Sequence, residues 1–137
     1  MTIMIKPDTK LSEIKNTFKH AYPFLKMEFF SRSHAWQESS SFADILSDNL
    51  SAEEASRNKI ISGFIEINFW QKTGVVESIF KNKFDLFVQV YRKHNDHWIQ
   101  TSGTDELTLE QQNEAGRNAS EDSLHGHLKS IESEKDI

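Results

Sequence analysis

The sequence predicts an α+β domain: a tandem β-α-β repeat arranged as a ferredoxin-like sandwich, with an extra C-terminal hairpin strand and helix. Two observations lead to this prediction. Residues 3–32 and 65–93 align with each other, and in both segments apolar residues alternate, then recur at three- and four-residue spacing, then alternate again. A ubiquitin-like or other small α/β roll, in which the two units pair differently, is the alternative architecture.

The two aligned segments share the apolar positions that a folded core requires. The aligned pairs are Ile3 with Ile65, Ile5 with Ile67, Ile14 with Val76, Phe18 with Phe80, Tyr22 with Phe84 and, after a one-residue gap, Met27 with Val88, Phe29 with Val90, Phe30 with Tyr91 and Arg32 with Lys93. Because each segment reads as strand, helix and strand, the core positions of one segment predict those of the other.

The first unit follows from the apolar pattern near the N-terminus. Residues 2–6 alternate as a strand, residues 11–22 have the spacing of an amphipathic helix, and residues 24–31 alternate again as a second strand. Pro23 is expected to end the helix, because the residue before a proline avoids the α region.

The second unit has the same order of elements. Residues 61–69 are the predicted third strand, and residues 74–84 are the predicted helix, with Thr73 as its N-cap. Val88 and Val90 mark the inner face of the fourth strand. The two units together therefore account for four strands and two helices.

A hairpin and a helix are predicted to follow the second unit. Residues 94–96 have the composition of a turn, and residues 97–101 are expected to return as a fifth strand. Thr108 is expected to cap a helix over residues 109–117.

A polar and acidic insert, residues 33–60, separates the two units. It is too long for an ordinary hairpin loop, so we expect some structure within it. Ser51 and Glu54 have the spacing of a capping box, which predicts a short helix over residues 52–58. Another short helix is expected near residues 43–46.

Charge is unevenly placed along the chain, whose formal net charge is −5. Residues 1–34 carry six Lys or Arg and three acidic residues, whereas residues 105–137 carry three and nine. We expect residues 1–118, including the insert, to form one domain and residues 119–137 to be a disordered acidic tail. The insert and the C-terminal part are not repeated, so a specific function is expected there.

Composition limits the class of protein. The chain has no cysteine, which excludes disulfides and thiolate metal sites and fits a reducing compartment. The N-terminus has no signal-peptide pattern, and no apolar run has the length of a membrane span. We therefore expect a cytoplasmic protein without a membrane partner.

No motif of catalysis is recognisable, so we expect that the protein is not an enzyme. The sequence has no nucleophile elbow, no Walker A motif and no G-x-G-x-x-G. His94 and His97 flank a turn, and His125 and His127 lie in the tail. Turn composition and a flexible tail explain these histidines without a metal. No cofactor and no metal site are predicted.

Aromatic side chains that point away from the helices form the predicted binding surface. The alternation that turns Val88 and Val90 inward turns several aromatic residues outward. The candidates are Phe30, Phe64, Phe87 and Tyr91 on this open sheet face, with Trp36 and Trp98 at its rim. Because buried aromatic residues dominate interfaces, we predict a non-catalytic protein-interaction or regulatory module. We expect it to form a homodimer or another homo-oligomer through this face or an edge strand, or to bind another protein.

Two other functions stay open. An open aromatic face stacks the bases of single-stranded nucleic acid. The basic residues that would accompany such binding are Lys26, Arg32, Lys81, Lys83, Arg92 and Lys93. The acidity of the whole chain argues against this function. The second alternative is a small-ligand or metal-dependent activity in a cleft between the insert and the sheet.

Overall fold

The computed structural model describes residues 1–31, 41–56 and 61–120. In chain order its elements are β1 (Thr2–Ile5), α1 (Leu11–Ala21), β2 (Leu25–Phe30), α2 (Ala52–Ala55), β3 (Gly63–Glu66), α3 (Thr73–Phe84), β4 (Phe87–His94), β5 (His97–Gln100) and α4 (residues 109–120). The predicted α+β class is confirmed. None of the described helices combines the length and the hydropathy needed to cross a membrane.

The strands form two antiparallel sheets, β1–β3 and β2–β4–β5. A ferredoxin-like sandwich would interleave the strands of both units in one sheet. In the described part of the chain, the first strands of the two units pair in one sheet and the second strands pair in the other. The single ferredoxin-like sheet is therefore not observed. The physical reason is that β4 is buried on both faces over residues 87–91, so it lies at the centre of its own sheet, with β2 on one side and β5 on the other.

One hydrophobic core joins both sheets and both long helices. The inward-facing residues of β1, α1, β2, β3, α3 and β4 are buried in it, among them Ile5, Phe18, Met27, Ile65, Phe80 and Val90. Phe29 and Phe80 meet edge to face with ring centroids 6.0 Å apart. Each such side chain stabilises the fold by about 1.5–3 kcal/mol through burial. The predicted inward set of both units is thus the core of the protein.

Strand pairing brings aligned positions of the two units together. Ile3 lies opposite Ile65, with which it aligns in sequence. In the other sheet Met27 lies opposite Val90, and Phe29 lies opposite Val88. Since Met27 aligns with Val88 and Phe29 with Val90, this reciprocal pairing has the register of a two-fold relation between the halves.

The segments after each unit also make corresponding contacts, although the sequence patterns predicted that they would differ. Ser51 caps α2 and bonds reciprocally with Glu54, and Thr108 and Gln111 bond in the same way at the start of α4. Each cap pairs with the residue before a long helix, in the isolated bridges Lys10–Ser51 and Lys72–Thr108. Because these patterns are short and polar, they do not stand out in an alignment led by apolar residues.

Further hydrogen bonds tie the capped helices α2 and α4 to the turns before α1 and α3. Ala52 N donates to Thr9 O at 2.7 Å, and Leu109 N donates to Gln71 O at 3.0 Å. The predicted N-cap role of Thr73 is wrong: Lys72 is the N-cap, and the Thr73 hydroxyl donates to Leu107 O at 2.8 Å. The Thr73 side chain thus joins α3 to the segment before α4.

Close packing of α4 gives a test of this fold. A Cβ at Gly116 would lie 2.9 Å from Phe24 Cβ and 3.0 Å from Phe24 O. We expect Gly116→Ala to lower the free energy of unfolding by about 1–2 kcal/mol, because overpacking outweighs the ~1 kcal/mol gain in helix propensity. Urea denaturation measures this. Gly103→Ala is the control, since its Cβ meets nothing within 4 Å. Equal stability of both variants would contradict the packing of α4.

Candidate functional site

The predicted aromatic face on the β2–β4–β5 sheet is covered by the chain itself. Phe30, Phe87 and Tyr91 do point away from the main core, as the alternation predicts, but they form a second buried cluster. Ile45 bridges Phe30 from the insert side, and β5 places Trp98 against the cluster. These three aromatic residues are therefore not on an open face.

The other candidates lie elsewhere. Phe64 is on β3 in the two-stranded sheet, where its side chain is 48% exposed. Trp98 is half-buried at the side of the second cluster. Trp36 lies outside the described residues. The structure thus does not bring the six predicted residues together on one surface.

Met4 joins Phe64 on the outer face of the β1–β3 sheet. The two residues lie directly opposite each other, and Met4 is 55% exposed. The alternation of apolar residues along β1 predicts that Met4 is exposed, because Ile3 and Ile5 on either side of it point into the core. Met4 is not among the predicted binding residues, because the binding surface was expected on the strands richest in aromatic residues.

The free edge of β1 is open, whereas that of β3 is blocked. Met1 and Ile67 exchange two main-chain hydrogen bonds of 3.1 and 2.8 Å. Because bonded and non-bonded pairs alternate along an antiparallel ladder, the N–H and C=O groups of Met4 and Phe64 point away from the partner strand. Lys83 Nζ donates to Phe64 O and so covers the edge of β3. Within the described ranges, no group bonds the main chain of Met4.

Three lysines surround Trp98. The Nζ atoms of Lys19 and Lys26 lie 5.1 Å from the centre of the indole ring, and that of Lys93 lies 5.9 Å away. Lys26 is also 3.7 Å from a Glu28 oxygen. Lys19 and Lys93 have no carboxylate within ion-pair distance among the described residues. The arrangement combines an aromatic surface with positive charge, which attracts anions.

A partly buried ion-pair network lies where α1 meets β2. Lys15 Nζ is 2.9 Å from a Glu28 oxygen and 2.6 Å from an Asp48 oxygen. Burial lowers the pKa of Lys15, but the hydrogen bonds to Asp48 and Glu28 outweigh it, and the pKa is raised. The ammonium group therefore stays charged and ties α1, β2 and the insert together.

The matching place in the second half holds a buried carboxyl group. Glu77 is the fifth residue of α3, as Lys15 is of α1, and it is buried beside Asp105. Its carboxylate accepts the Val90 main-chain N–H at 2.8 Å, just beyond the part of β4 that β5 pairs with. Burial raises the pKa of Glu77 to about 8, the hydrogen bond from Val90 opposes this, and Asp105 adds to it.

Histidine and carboxylate groups do not gather in the described ranges: no three of them lie where they could share a metal ion. His94 and His97 are exposed at the ends of the β4–β5 turn. His125 and His127 lie outside the described residues, so the predicted explanation of that pair stays a prediction.

Sequence analysis also missed an exposed aromatic pair in the turn after β3. Phe69 is 56% exposed, Trp70 is 62% exposed, and Val75 on the first turn of α3 is 41% exposed. Consecutive aromatic residues directly after a strand that ends in a turn are the signal that would have identified them. They lie in the turn that α4 contacts, away from the buried aromatic cluster.

Comparisons with known proteins give no relative. No family model matches the chain, and no curated protein or solved structure is significantly similar to it.

The buried carboxyl group predicts a pH dependence of stability. With a pKa of about 8 in the folded state and 4.5 as its ordinary value, Glu77 binds more protons folded than unfolded between these limits. Stability should therefore fall as pH rises from about 4.5 to 8, with a slope of at most ~1.4 kcal/mol per pH unit. We expect Glu77→Gln to remove this slope in urea denaturation, since an amide oxygen still accepts from Val90 N–H. Glu110→Gln, at an exposed position, should keep it; a slope unchanged in Glu77→Gln would refute the assignment.

Proposed function

We propose that the protein is a small, non-catalytic, cytoplasmic interaction module that forms a homodimer through the edge of β1. The observation that carries this proposal is the asymmetry of the β1–β3 sheet: Lys83 covers one edge, whereas at the other edge no described residue bonds the main chain of Met4. An open strand edge is a template for pairing with another chain.

The blocking group of β3 has no counterpart at β1. Lys83 is the eleventh residue of α3, and the eleventh residue of α1 is Ala21, whose methyl group cannot reach or bond a carbonyl oxygen. A lysine over a strand edge is a common protection against pairing. Its absence at β1 leaves this edge free for a second copy.

The exposed apolar face supports the same contact. In an antiparallel pair of two β1 strands, the β1–β3 sheets of both copies join into one four-stranded sheet. Met4 and Phe64 of each copy then lie side by side on its outer face. A two-stranded sheet is marginal on its own, and doubling the number of strands stabilises it.

We also propose that the chain is an internal repeat that extends beyond the two β-α-β units. The reciprocal register of both sheets and the matching caps at Ser51 and Thr108 support this reading. The repeated unit would then be strand, helix, strand and capped helix.

Blocking the edge of β1 tests the dimer. Since the N–H of Met4 points away from β3, Met4→Pro removes a donor at the free edge without removing a bond of the β1–β3 ladder. We expect the wild type at micromolar concentration to show twice the chain mass of 15.9 kDa by light scattering, and Met4→Pro to show the monomer mass.

Two further variants make this test independent of strain from proline. Met4→Lys places a charge at the contact and should also give a monomer, whereas Met4→Leu should leave the dimer intact. Circular dichroism checks that each variant is folded. A monomeric wild type at micromolar concentration, or a dimeric Met4→Lys variant, would show the proposal to be wrong.

A second candidate function is binding of single-stranded nucleic acid at Trp98. The observation that favours it is the convergence of Lys19, Lys26 and Lys93 on one half-buried indole. Base stacking on an aromatic ring contributes about 1–3 kcal/mol per base, and lysines contact the phosphates. The binding surface would be the side of the second aromatic cluster instead of an open aromatic face.

Fluorescence anisotropy with labelled oligothymidylate and oligouridylate at low salt tests this candidate. We expect Trp98→Leu to weaken binding by about tenfold, and Lys19→Gln with Lys93→Gln to weaken it and to flatten its salt dependence. Trp70→Leu changes an exposed tryptophan far from these lysines in the chain and serves as the control. A flat trace for the wild type removes the candidate.

A further inference from the structure

We propose that Phe69, Trp70 and Val75 form a docking surface for a partner protein whose contacting segment combines apolar and basic side chains. This surface lies on the turn between β3 and α3 and on the first turn of α3. It is separate from the edge of β1, so it adds a second partner to the interaction module and does not depend on self-association.

Hydrogen bonds order the main chain of the turn that carries Phe69 and Trp70. Asn68 N donates to the Gln71 side chain at 2.7 Å, and Gln71 N donates to Asn68 O at 3.1 Å. From α4, Glu110 N donates to Phe69 O at 3.0 Å. Because the main chain is ordered before binding, the entropy lost when Phe69 and Trp70 are covered is small.

The first half shows that the fold does not require apolar residues at these positions. Phe69 and Pro7 occupy equivalent positions in the two halves. The main-chain N–H of Glu110, the second residue of α4, donates to Phe69 O, and that of Glu53, the second residue of α2, donates to Pro7 O. The residues of the first half that correspond to Phe69, Trp70 and Val75 are Pro7, Asp8 and Glu13. The same backbone is thus formed with two carboxylates where the second half exposes an indole and a valine.

The same comparison shows that Trp70 and Val75 share one surface. In the first half a shallow groove is lined by Met4, Lys6, Asp8, Thr9 and Glu13. The corresponding residues of the second half are Glu66, Asn68, Trp70, Gln71 and Val75. Since Asp8 and Glu13 line one groove, we infer that Trp70 and Val75 lie on one surface at the corresponding positions, next to Phe69 in the chain.

The charges around the patch define the chemistry of the partner. Glu66 and Glu110 are both exposed. Glu66 corresponds to Met4 of the groove in the first half, and the main-chain N–H of Glu110 bonds Phe69 O. Lys72, directly after the aromatic turn, is already paired with Glu106 at 2.7 Å. The rim therefore has a net negative charge, and a partner with basic side chains around an apolar centre is complementary to it. A nucleic acid would be repelled by this rim.

Aromatic residues at the centre of an apolar patch with a charged rim are typical of binding hot spots. The exposed fractions of 56% and 62% leave most of both ring systems in water when no partner is bound. Large exposed apolar groups of this kind cost solubility in a monomer, and burial against a partner removes that cost.

A pair of model peptides tests the proposal. The probe is a fluorescein-labelled amphipathic helical peptide with a leucine stripe flanked by lysines, and its control has glutamate in place of every lysine. We expect the full-length protein to bind the lysine peptide, with an affinity that falls with salt, and not to bind the glutamate peptide. Perturbations in ¹H–¹⁵N spectra should centre on the turn that holds Trp70.

Substitutions taken from the first half provide the matched variants. Trp70→Asp with Val75→Glu should weaken binding by about 30-fold or more, because a hot-spot aromatic residue is lost. This variant should remain folded, since Asp8 and Glu13 occupy the same backbone. Asp8→Asn with Glu13→Gln is the control in the other half and should bind as the wild type does. The monomeric Met4→Pro variant should also bind.

The proposal fails if the wild type does not bind the lysine peptide at about 1 mM, a free energy of only about −4 kcal/mol. It also fails if Trp70→Asp with Val75→Glu binds as tightly as the wild type, because the acidic chain would then attract the peptide without the patch. Circular dichroism of each variant separates loss of binding from loss of fold.

Discussion

Pairing between β2 and β4 is the constraint on which the rest of the structure depends. Glu28 lies opposite Gln89 at the centre of this pair, and apolar residues on both sides of it are buried. Because both faces of these strands need cover, the long helices fill one face, and Ile45 and Trp98 cover the other. Phe30, Phe87 and Tyr91, which were predicted to form an open binding surface, are therefore buried inside the protein.

The exposed apolar residues lie outside the β2–β4–β5 sheet, whose two faces are covered. β1 and β3 are outside the central sheet, form a sheet of only two strands, and expose Met4 and Phe64. The turn after β3 exposes Phe69 and Trp70. A stable centre with binding groups at its margin is common, because a rigid scaffold holds exposed side chains in place at low entropic cost.

Matching positions of the two halves carry side chains of different chemistry. Lys15 forms an ion-pair network in the first half, whereas Glu77 is a buried carboxyl group in the second. Asp8 and Trp70 share one backbone environment but have opposite chemistry. The main-chain arrangement at such positions is therefore compatible with both residues.

The sequence by itself determined the class of fold, the place of each main strand and helix, and which residues turn inward, because apolar periodicity is a local signal. It also identified the cap at Ser51 from its spacing to Glu54. Only the tertiary structure decided which strands pair, that the second aromatic cluster is covered, and that Met4 and Trp70 are exposed. Pairing and cover join residues far apart in the chain, and they depend on how all apolar faces are buried together, which no local pattern encodes.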